Sequence, residues 1–267
     1  MMLQLKPPTQ NVIGFPVTSL SFDEQMDWML EWAAQNLSKS VYVANVHMLM
    51  EATWNREFGT VLANGDMVTP DGMPLVWLMS WIGKYKQDRV AGMDIILGLC
   101  QRMSQRKISV FFLGSDAYTL QQMRYRLKRE FPNLRIAGME PLPFRPLTDE
   151  EDQAITKQIN ESGAGIVMVS LGCPKQEKWI SAHRDQVTAV MIGLGGAFPV
   201  YAGVQKWAPE IIRKLGFEWL YRLMQEPGRL WKRYAKTIPP FTVLALMQLI
   251  STFSRESGNV NFQTRGR

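Results

Sequence analysis

The chain has 267 residues, 46% hydrophobic and 20% charged, with two cysteines, the make-up of an ordinary globular enzyme domain with at most a small appendage. Collagen, coiled coil, wholesale disorder and a disulfide scaffold are excluded, since a chain of this length buries roughly three quarters of its unfolded surface without staples. The net charge of +6 is unevenly placed: nineteen Lys/Arg face twenty Asp/Glu up to Val204, against eleven to four from Gln205 to Arg267, so a near-neutral body carries a basic, aromatic tail region suited to an anionic surface.

The first seventeen residues hold one lysine and no unbroken apolar stretch, which argues against a secretory signal. Ser21-Phe-Asp-Glu24 is a capping box that opens a helix running to about Leu37. Four β-rich apolar runs, Val41–Val46, Ile108–Leu113, Ile166–Leu171 and Ala189–Leu194, are each trailed by helical spacing, and shorter runs at Thr60–Ala63 and Leu134–Ala137 are candidate extra strands. This alternation predicts an α/β fold: an open parallel sheet of about six strands flanked by helices, Rossmann-like, with a helical carboxyl-terminal appendage. Met73–Ile82 reads as an apolar helix, Gly92–Arg106 and Asp116–Phe131 as amphipathic cover helices, and Asp149-Glu-Glu-Asp152 opens another, to Asn160, where its acids suit the helix dipole better than a metal. Ile238–Phe253 is apolar but short and broken by Thr242, Gln248, Ser251 and Thr252, so it is expected to lie on a membrane, or pack on the body, rather than cross a bilayer.

In an open parallel sheet, ligands bind beyond the carboxyl ends of the strands. The sequence assigns to such ends Val43-Ala-Asn45, Gly65-Asp66, Pro70-Asp71-Gly72, Gly114-Ser115, Gly172-Cys-Pro174-Lys175-Gln176-Glu177 and Gly193-Leu-Gly195-Gly196. Glycines there allow phosphates close to backbone amides. The dinucleotide fingerprint is incomplete, lacking its third glycine and ribose-binding acid, and there is no P-loop. His47 and His183 are not at ligand spacing with each other or with a cysteine, and no Asp-x-Asp occurs, so neither metal nor cofactor is expected. Diphosphate charge must then be offset by Arg, Lys and backbone dipoles. His183 is expected on a helix surface after Pro174, and Cys100 as a buried small hydrophobe. Asp71, held between Pro70 and Gly72 with an apolar helix behind it that could raise its pKa, is the carboxylate to single out as a general base, but on spacing alone a plain Pro-Asp-Gly turn is the favoured reading.

An ordered set of motifs runs through the chain: Asn45; Asn64-Gly-Asp66; Pro70-Asp71-Gly72 with Val76-Trp77; Arg89-Val-Ala-Gly92-Met-Asp94; Gly172-x-Pro174-Lys175-Gln176-Glu177-Lys-Trp179; Gly193-x-Gly195-Gly196-Ala-Phe198; Ala202-Gly203; Ala208-Pro209; and Glu218-Trp219-x-Tyr-Arg222-x-x-x-Glu226-Pro227. From about Asn11 to Tyr234 it resembles the WecG/TagA/CpsF glycosyltransferases, whose members are inverting, metal-independent enzymes that move a sugar from a UDP-sugar to polyprenyl-diphosphate-linked N-acetylglucosamine. The resemblance implies Asp71 as base, Asn45 and Gln176 lining the sugar pocket, Arg89 holding or neutralising phosphate, and Gly193, Gly195 and Gly196 admitting the nucleotide, with Val43, Gly72, Gly172, Pro174 and Lys175 around the substrates. It also implies a membrane-targeting appendage that closes over the site, here offering Arg222, Arg229, Lys232 and Arg233 among aromatic side chains.

Two departures bear on the donor: Val43 where many relatives have threonine, and Phe198-Pro199-Val200 where many have Phe-Asp-Phe. UDP-N-acetylmannosamine is the first expectation for the donor, followed by UDP-glucose or another UDP-sugar. The expected division is a catalytic domain over 1–204, a basic membrane-docking appendage over 205–254 and a disordered tail over 255–267, in a protein peripheral to the inner face of the plasma membrane. A homo-oligomer stays open. The rival readings are a non-catalytic nucleotide- or lipid-binding module, and a basic nucleic-acid binder, which nothing in the body supports.

Overall fold

The computed structural model describes residues 6–263, with side chains to Ser254. It opens with a hairpin, β1 (Thr9–Val12) and β2 (Phe15–Thr18), antiparallel through a two-residue turn, Ile13-Gly14, in which both residues have positive φ as such turns require. Helix α1 (Phe22–Ala34) starts at the anticipated box: the Ser21 hydroxyl accepts the Glu24 amide at 3.3 Å and the Glu24 carboxylate accepts the Ser21 amide at 2.8 Å. It stops short of Leu37 because the chain turns at Asn36, in the left-handed region.

Strand β3 (Lys39–Ala44) leads to α2 (Val46–Trp54), α3 (Arg56–Ala63), the short β4 (Met67–Pro70) and α4 (Met73–Gly83). Thr60–Ala63 is therefore helical, not a strand. Asn55 caps α3 by accepting the Phe58 amide at 2.9 Å, and Phe58 and Leu62, four residues apart, bury one face of it. The strand in this region is Met67–Pro70, an edge strand, which is why a proline is tolerated at its end. Asn64-Gly-Asp66 precedes β4 and so lies at the amino end of the sheet, away from the ligand edge. There the buried Asp66 accepts the Ser40 amide and hydroxyl and pairs with Lys39 and Arg184, both at 3.1 Å.

The chain continues through α5 (Gly92–Arg106), β5 (Ser109–Gly114), α6 (Ala117–Glu130), β6 (Arg135–Glu140), α7 (Asp149–Ser162), β7 (Ile166–Ser170), α8 (Lys175–Ala182), β8 (Val190–Gly193) and α9 (Ala197–Tyr201). The six strands form one parallel sheet in the order β4-β3-β8-β7-β5-β6. Each face carries a core: Ile95, Leu99, Met123, Phe198 and Tyr201 cover one, and Leu49, Phe58, Leu75, Leu78, Ile159 and Ile180 the other. Cys100 is buried in the first. The two-faced apolar runs that betrayed β3, β5, β7 and β8 in the sequence follow from this double coverage.

His183 is a correction: it is buried, not on the surface. Its ring stacks on Trp179 at 4.0 Å, its Nε2 lies 2.8 Å from Asp152 Oδ2, and Trp179 Nε1 donates to Asp152 Oδ1 at 2.8 Å, which clamps α8 to α7. The acidic cluster thus serves two ends. Glu151 completes a capping box with Thr148, and Asp152 receives the clamp.

Beyond Val204 come α10 (Glu210–Lys214), α11 (Glu218–Gln225) and the long α12 (Pro227–Gln263), which contains Pro239 and Pro240. The expected tail at 255–267 lies outside the residues whose side chains are described. From Pro227 to Ser254 α12 is long and apolar enough to cross a membrane by length and composition, which Ile238–Phe253 taken alone had not suggested. One of its faces nevertheless packs on α2 and α4 and buries Leu230, Thr237 and Phe241. Gln248 fixes it to the hairpin, its amide donating to the Asn11 carbonyl and accepting from the Ile13 amide, both at 2.8 Å. Replacing Gln248 with leucine should remove two bonds worth about 1 kcal/mol each and speed hydrogen exchange at the Ile13 amide; unchanged protection there would show that α12 is not anchored on the hairpin.

Candidate functional site

After β3 the chain turns onto one face of the sheet through α2, and after the neighbouring β8 onto the other through α9. Loops leaving adjacent parallel strands in opposite directions open a crevice at their carboxyl ends, where ligands of such sheets bind. Asn45 follows β3 and caps α2, its Oδ1 accepting the Met48 amide at 3.1 Å. Asp71 follows β4, and its amide prolongs the strand pairing by donating to the Ala44 carbonyl at 2.8 Å. A Cβ built on Gly72 would lie 3.6 Å from the Asn45 Cβ, so the two strand ends are in contact.

The segment before α5 runs alongside this end, with the Val90 amide donating to Pro70 at 2.9 Å. This delivers Arg89 to Asp71. Its Nε donates to the Asp71 carbonyl at 2.8 Å, and its Nη2 lies 3.6 Å from Asp71 Oδ1 and 2.6 Å from Glu218 Oε2. Burial pushes the Asp71 carboxyl up to about 6, a rise that the Arg89 guanidinium opposes and Glu218 reinforces. Asp94, in the first turn of α5, is raised in the same way and lies 3.9 Å from Arg213 of α10.

Gln176, in the first turn of α8, is buried. Its Oε1 accepts the Gly172 amide at 3.1 Å and its Nε2 donates to Glu177 at 2.7 Å. The side chain fills the space above the glycine-rich loop, since Cβ atoms on Gly193 and Gly195 would come within 2.9 and 3.0 Å of its amide. Gly196 is covered differently, by the Arg222 guanidinium, 2.7 Å from where its Cβ would be. These glycines make room for protein side chains at the sheet edge, a role that sequence reasoning had not given them. Glu177 is fully buried, with Oε2 lacking a hydrogen-bond partner, and burial lifts its carboxyl to about 7.

A cationic rim faces this edge from α11 and α12. Arg222 and Arg233 make no ion pair within 4 Å among the described residues, and Arg229 pairs with Glu226. Arg233 is pushed below its usual range by burial and by Arg229 and Arg222 around it, and burial with Arg233 and Lys236 holds His47 down at about 4, hence neutral. Such a concentration of partly desolvated positive charge stores repulsion that an anion relieves.

The structure therefore gathers Asn45, Asp71, Gly72, Arg89, Gln176, Gly193, Gly195, Gly196 and Arg222 at one edge, with Gly172 and Pro174 on the adjoining loop and the exposed Lys175 opening α8. Arg229 and Lys232 lie exposed on the rim. Val43 stands apart: its side chain is buried in the core beneath α5. Glu218 was visible only as a motif letter with no role, because nothing in the sequence pairs residues 129 positions apart. Among the described residues no group of three or more His, Cys, Asp or Glu side chains is arranged to hold a metal ion.

Because Gly193 meets only the flexible end of Gln176, Gly193→Ala should displace that side chain while costing about 1 kcal/mol. Hydrogen exchange should quicken at the Gly172 amide with little change in melting temperature, whereas unchanged exchange would mean that Gln176 is not seated there.

Residues 10–255 match the glycosyl transferase WecG/TagA/CpsF family. Among curated proteins, an N-acetylglucosaminyldiphosphoundecaprenol N-acetyl-beta-D-mannosaminyltransferase of Bacillus spizizenii is 33% identical over 86% of this chain and 88% of its own. Proteins of the same name from Bacillus subtilis, 28% identical over 90% of this chain and 92% of that one, and from Staphylococcus aureus, 29% over 86% and 89%, are also similar. A family match over most of the length, together with a relative above 30% identity, agrees with a parallel α/β domain whose charged groups converge on one sheet edge: the chain belongs to the WecG/TagA/CpsF family of glycosyltransferases.

Proposed function

We propose that this glycosyltransferase moves N-acetylmannosamine from its UDP-linked form to N-acetylglucosamine carried on a polyprenyl diphosphate, at the inner face of the plasma membrane. The observation that carries the reading is Asp71, a carboxylate with a raised pKa at the end of β4 beside Arg89 and opposite a cationic rim. The names of the relatives supply the sugars and the β configuration of the transferred residue.

The chemistry follows from these groups. An acceptor hydroxyl is a poor nucleophile until a base takes its proton as the new bond forms, and a base titrating near 6 is ionised at neutral pH yet more basic than an ordinary aspartate. In-line attack opposite the leaving UDP inverts the anomeric centre in one displacement. Asp71 takes the hydroxyl proton, the acceptor oxygen bonds to the anomeric carbon, and the bond to the diphosphate oxygen breaks with its electrons leaving on UDP. Arg222, Arg229 and Arg233 supply positive charge that stabilises a departing diphosphate. Asn45, whose Oδ1 is taken by the α2 cap, keeps its Nδ2 donors for sugar hydroxyls, whereas the buried Gln176, bonded to Gly172 and Glu177, shapes the pocket wall.

The appendage supports the membrane reading. Val243, Leu246, Met247 and Ile250 recur at helical spacing and are all more than half exposed, forming an apolar stripe on the face of α12 turned away from the body, with Lys232 and Lys236 at its amino-terminal side.

Transfer of labelled sugar from a panel of UDP-sugars to a short polyprenyl-diphosphate N-acetylglucosamine tests this directly. UDP-N-acetylmannosamine should give product, undiminished by chelator, at a rate that climbs as the pH rises through about 6 and Asp71 ionises. Product from UDP-glucose alone would change the donor and keep the mechanism. Asp71→Asn should lower turnover by about 10²-fold or more with UDP affinity nearly unchanged. Since a carboxyl whose folded pKa is raised destabilises the fold once ionised, the same variant should be more stable at pH 7, by about 1 kcal/mol after solvent screening. Retained turnover in Asp71→Asn would remove its assignment as base. For the membrane, Leu246→Glu with Ile250→Glu should abolish sedimentation with anionic vesicles without altering the melting temperature; undiminished sedimentation would refute docking through α12.

A further inference from the structure

Glu218 stands where the appendage meets the catalytic carboxylate. It is the first residue of α11, reached through a turn at Gly216, whose φ is +79° and which packs on Trp77 of α4 so closely that a Cβ would come within 2.9 Å of the indole. On the other side Trp219 meets Tyr234 edge-on at 5.7 Å. Glu218 is thus delivered to the site by the docked appendage and by nothing in the α/β body.

Its contact there is with Arg89, which has three demands on one guanidinium. Nε is committed to the Asp71 carbonyl at 2.8 Å; Nη2 is 2.6 Å from Glu218 Oε2 and 3.6 Å from Asp71 Oδ1. The hydrogen bond goes to Glu218, while Asp71 is left within ion-pair range but outside hydrogen-bond range. All three side chains are at most a quarter exposed, so this sharing is weakly screened by water.

We propose that Glu218 is a positioning residue that holds the Arg89 guanidinium off the Asp71 carboxylate, so that docking of the appendage keeps the base free to accept a proton. The inference rests on Asp71 being that base. With the appendage lifted, Arg89 stays anchored through Nε to the Asp71 carbonyl, and its nearest remaining carboxylate is Asp71 itself. A full Arg89–Asp71 ion pair would stabilise the ionised carboxylate and weaken it as a base. Turnover is then coupled to docking through the basicity of one residue as well as through substrate binding. The charged groups facing Asp71 agree with this: Arg89 and Arg222 lower its affinity for a proton, and Glu218 and Asp94 raise it, with Arg213 in turn beside Asp94.

The experiment is a carboxyl-carbon NMR titration of the full-length protein labelled at aspartate, with Asp71→Asn to assign the resonance, on wild type, Glu218→Ala and Glu218→Gln, alongside the pH profile of kcat. In Glu218→Ala the Asp71 midpoint should fall by about one pH unit or more, the acid limb of kcat should move down with it, and the plateau kcat should drop more than KM for the UDP-sugar changes. Glu218→Gln, which can still accept from Nη2, should show a smaller shift. An Asp71 midpoint the same as wild type in a folded Glu218→Ala protein overturns the proposal, whatever happens to turnover. The Gln variant gives the same reading should the Ala variant fail to fold. Retained turnover in Asp71→Asn instead defeats the base assignment, so the two failures are told apart.

Discussion

Arg89 is the point on which the site depends. One guanidinium fixes the backbone of Asp71, tempers its carboxylate from 3.6 Å and receives Glu218 from the appendage. A planar fork with fixed donor directions can do all three at once; a lysine, with one compact charge, could not bridge the end of β4 and the start of α11 in this way. The rest of the architecture serves to bring that fork to the right place. The edge strand β4 ends in Pro70, the Asp71 amide carries its pairing one step further, and the segment through Val90 returns beside it before α5 begins.

The glycine-rich loop shows the same economy of space. Gly193 and Gly195 yield their side-chain volume to Gln176, and Gly196 yields its own to Arg222. The first turn of α8 and the appendage therefore both reach the crevice over the end of β8, and neither arrangement survives a methyl group without moving. What this costs is visible in the charges. Asp71 and Glu177 are carboxyls raised by burial, and Arg233 is an arginine desolvated among arginines. Unfavourable groups collected at one end of a well-packed domain are the expected signature of a site organised for binding anions and moving protons.

The amino-acid sequence carried most of this. β3, β5, β7 and β8 were legible because a strand buried on both faces is an unbroken apolar run, α1 because its capping box is a local signal, and α5 because of its 3.6-residue spacing. β4 was missed because its four residues run straight into the turn that carries Asp71, and the Thr60–Ala63 run looked β-rich although Asn55 had already begun a helix. His183 was misplaced since its partner Asp152 is 31 residues away, on another helix. Asp71, Arg89 and Gln176 were singled out through order and spacing of motifs. Which of them touch, and that Glu218 joins them, depends on how α11 folds back, and no periodicity encodes that.

A structure of the full-length protein with UDP and a short acceptor sugar bound tests the role of Asp71 most directly. With Asp71 as base, the acceptor hydroxyl lies within hydrogen-bond reach of its carboxylate, about 2.6–3.2 Å, with the diphosphate against Arg222 and its neighbours on α12. An acceptor hydroxyl out of reach of Asp71, or Asp71 occupied by the nucleotide, would contradict that role.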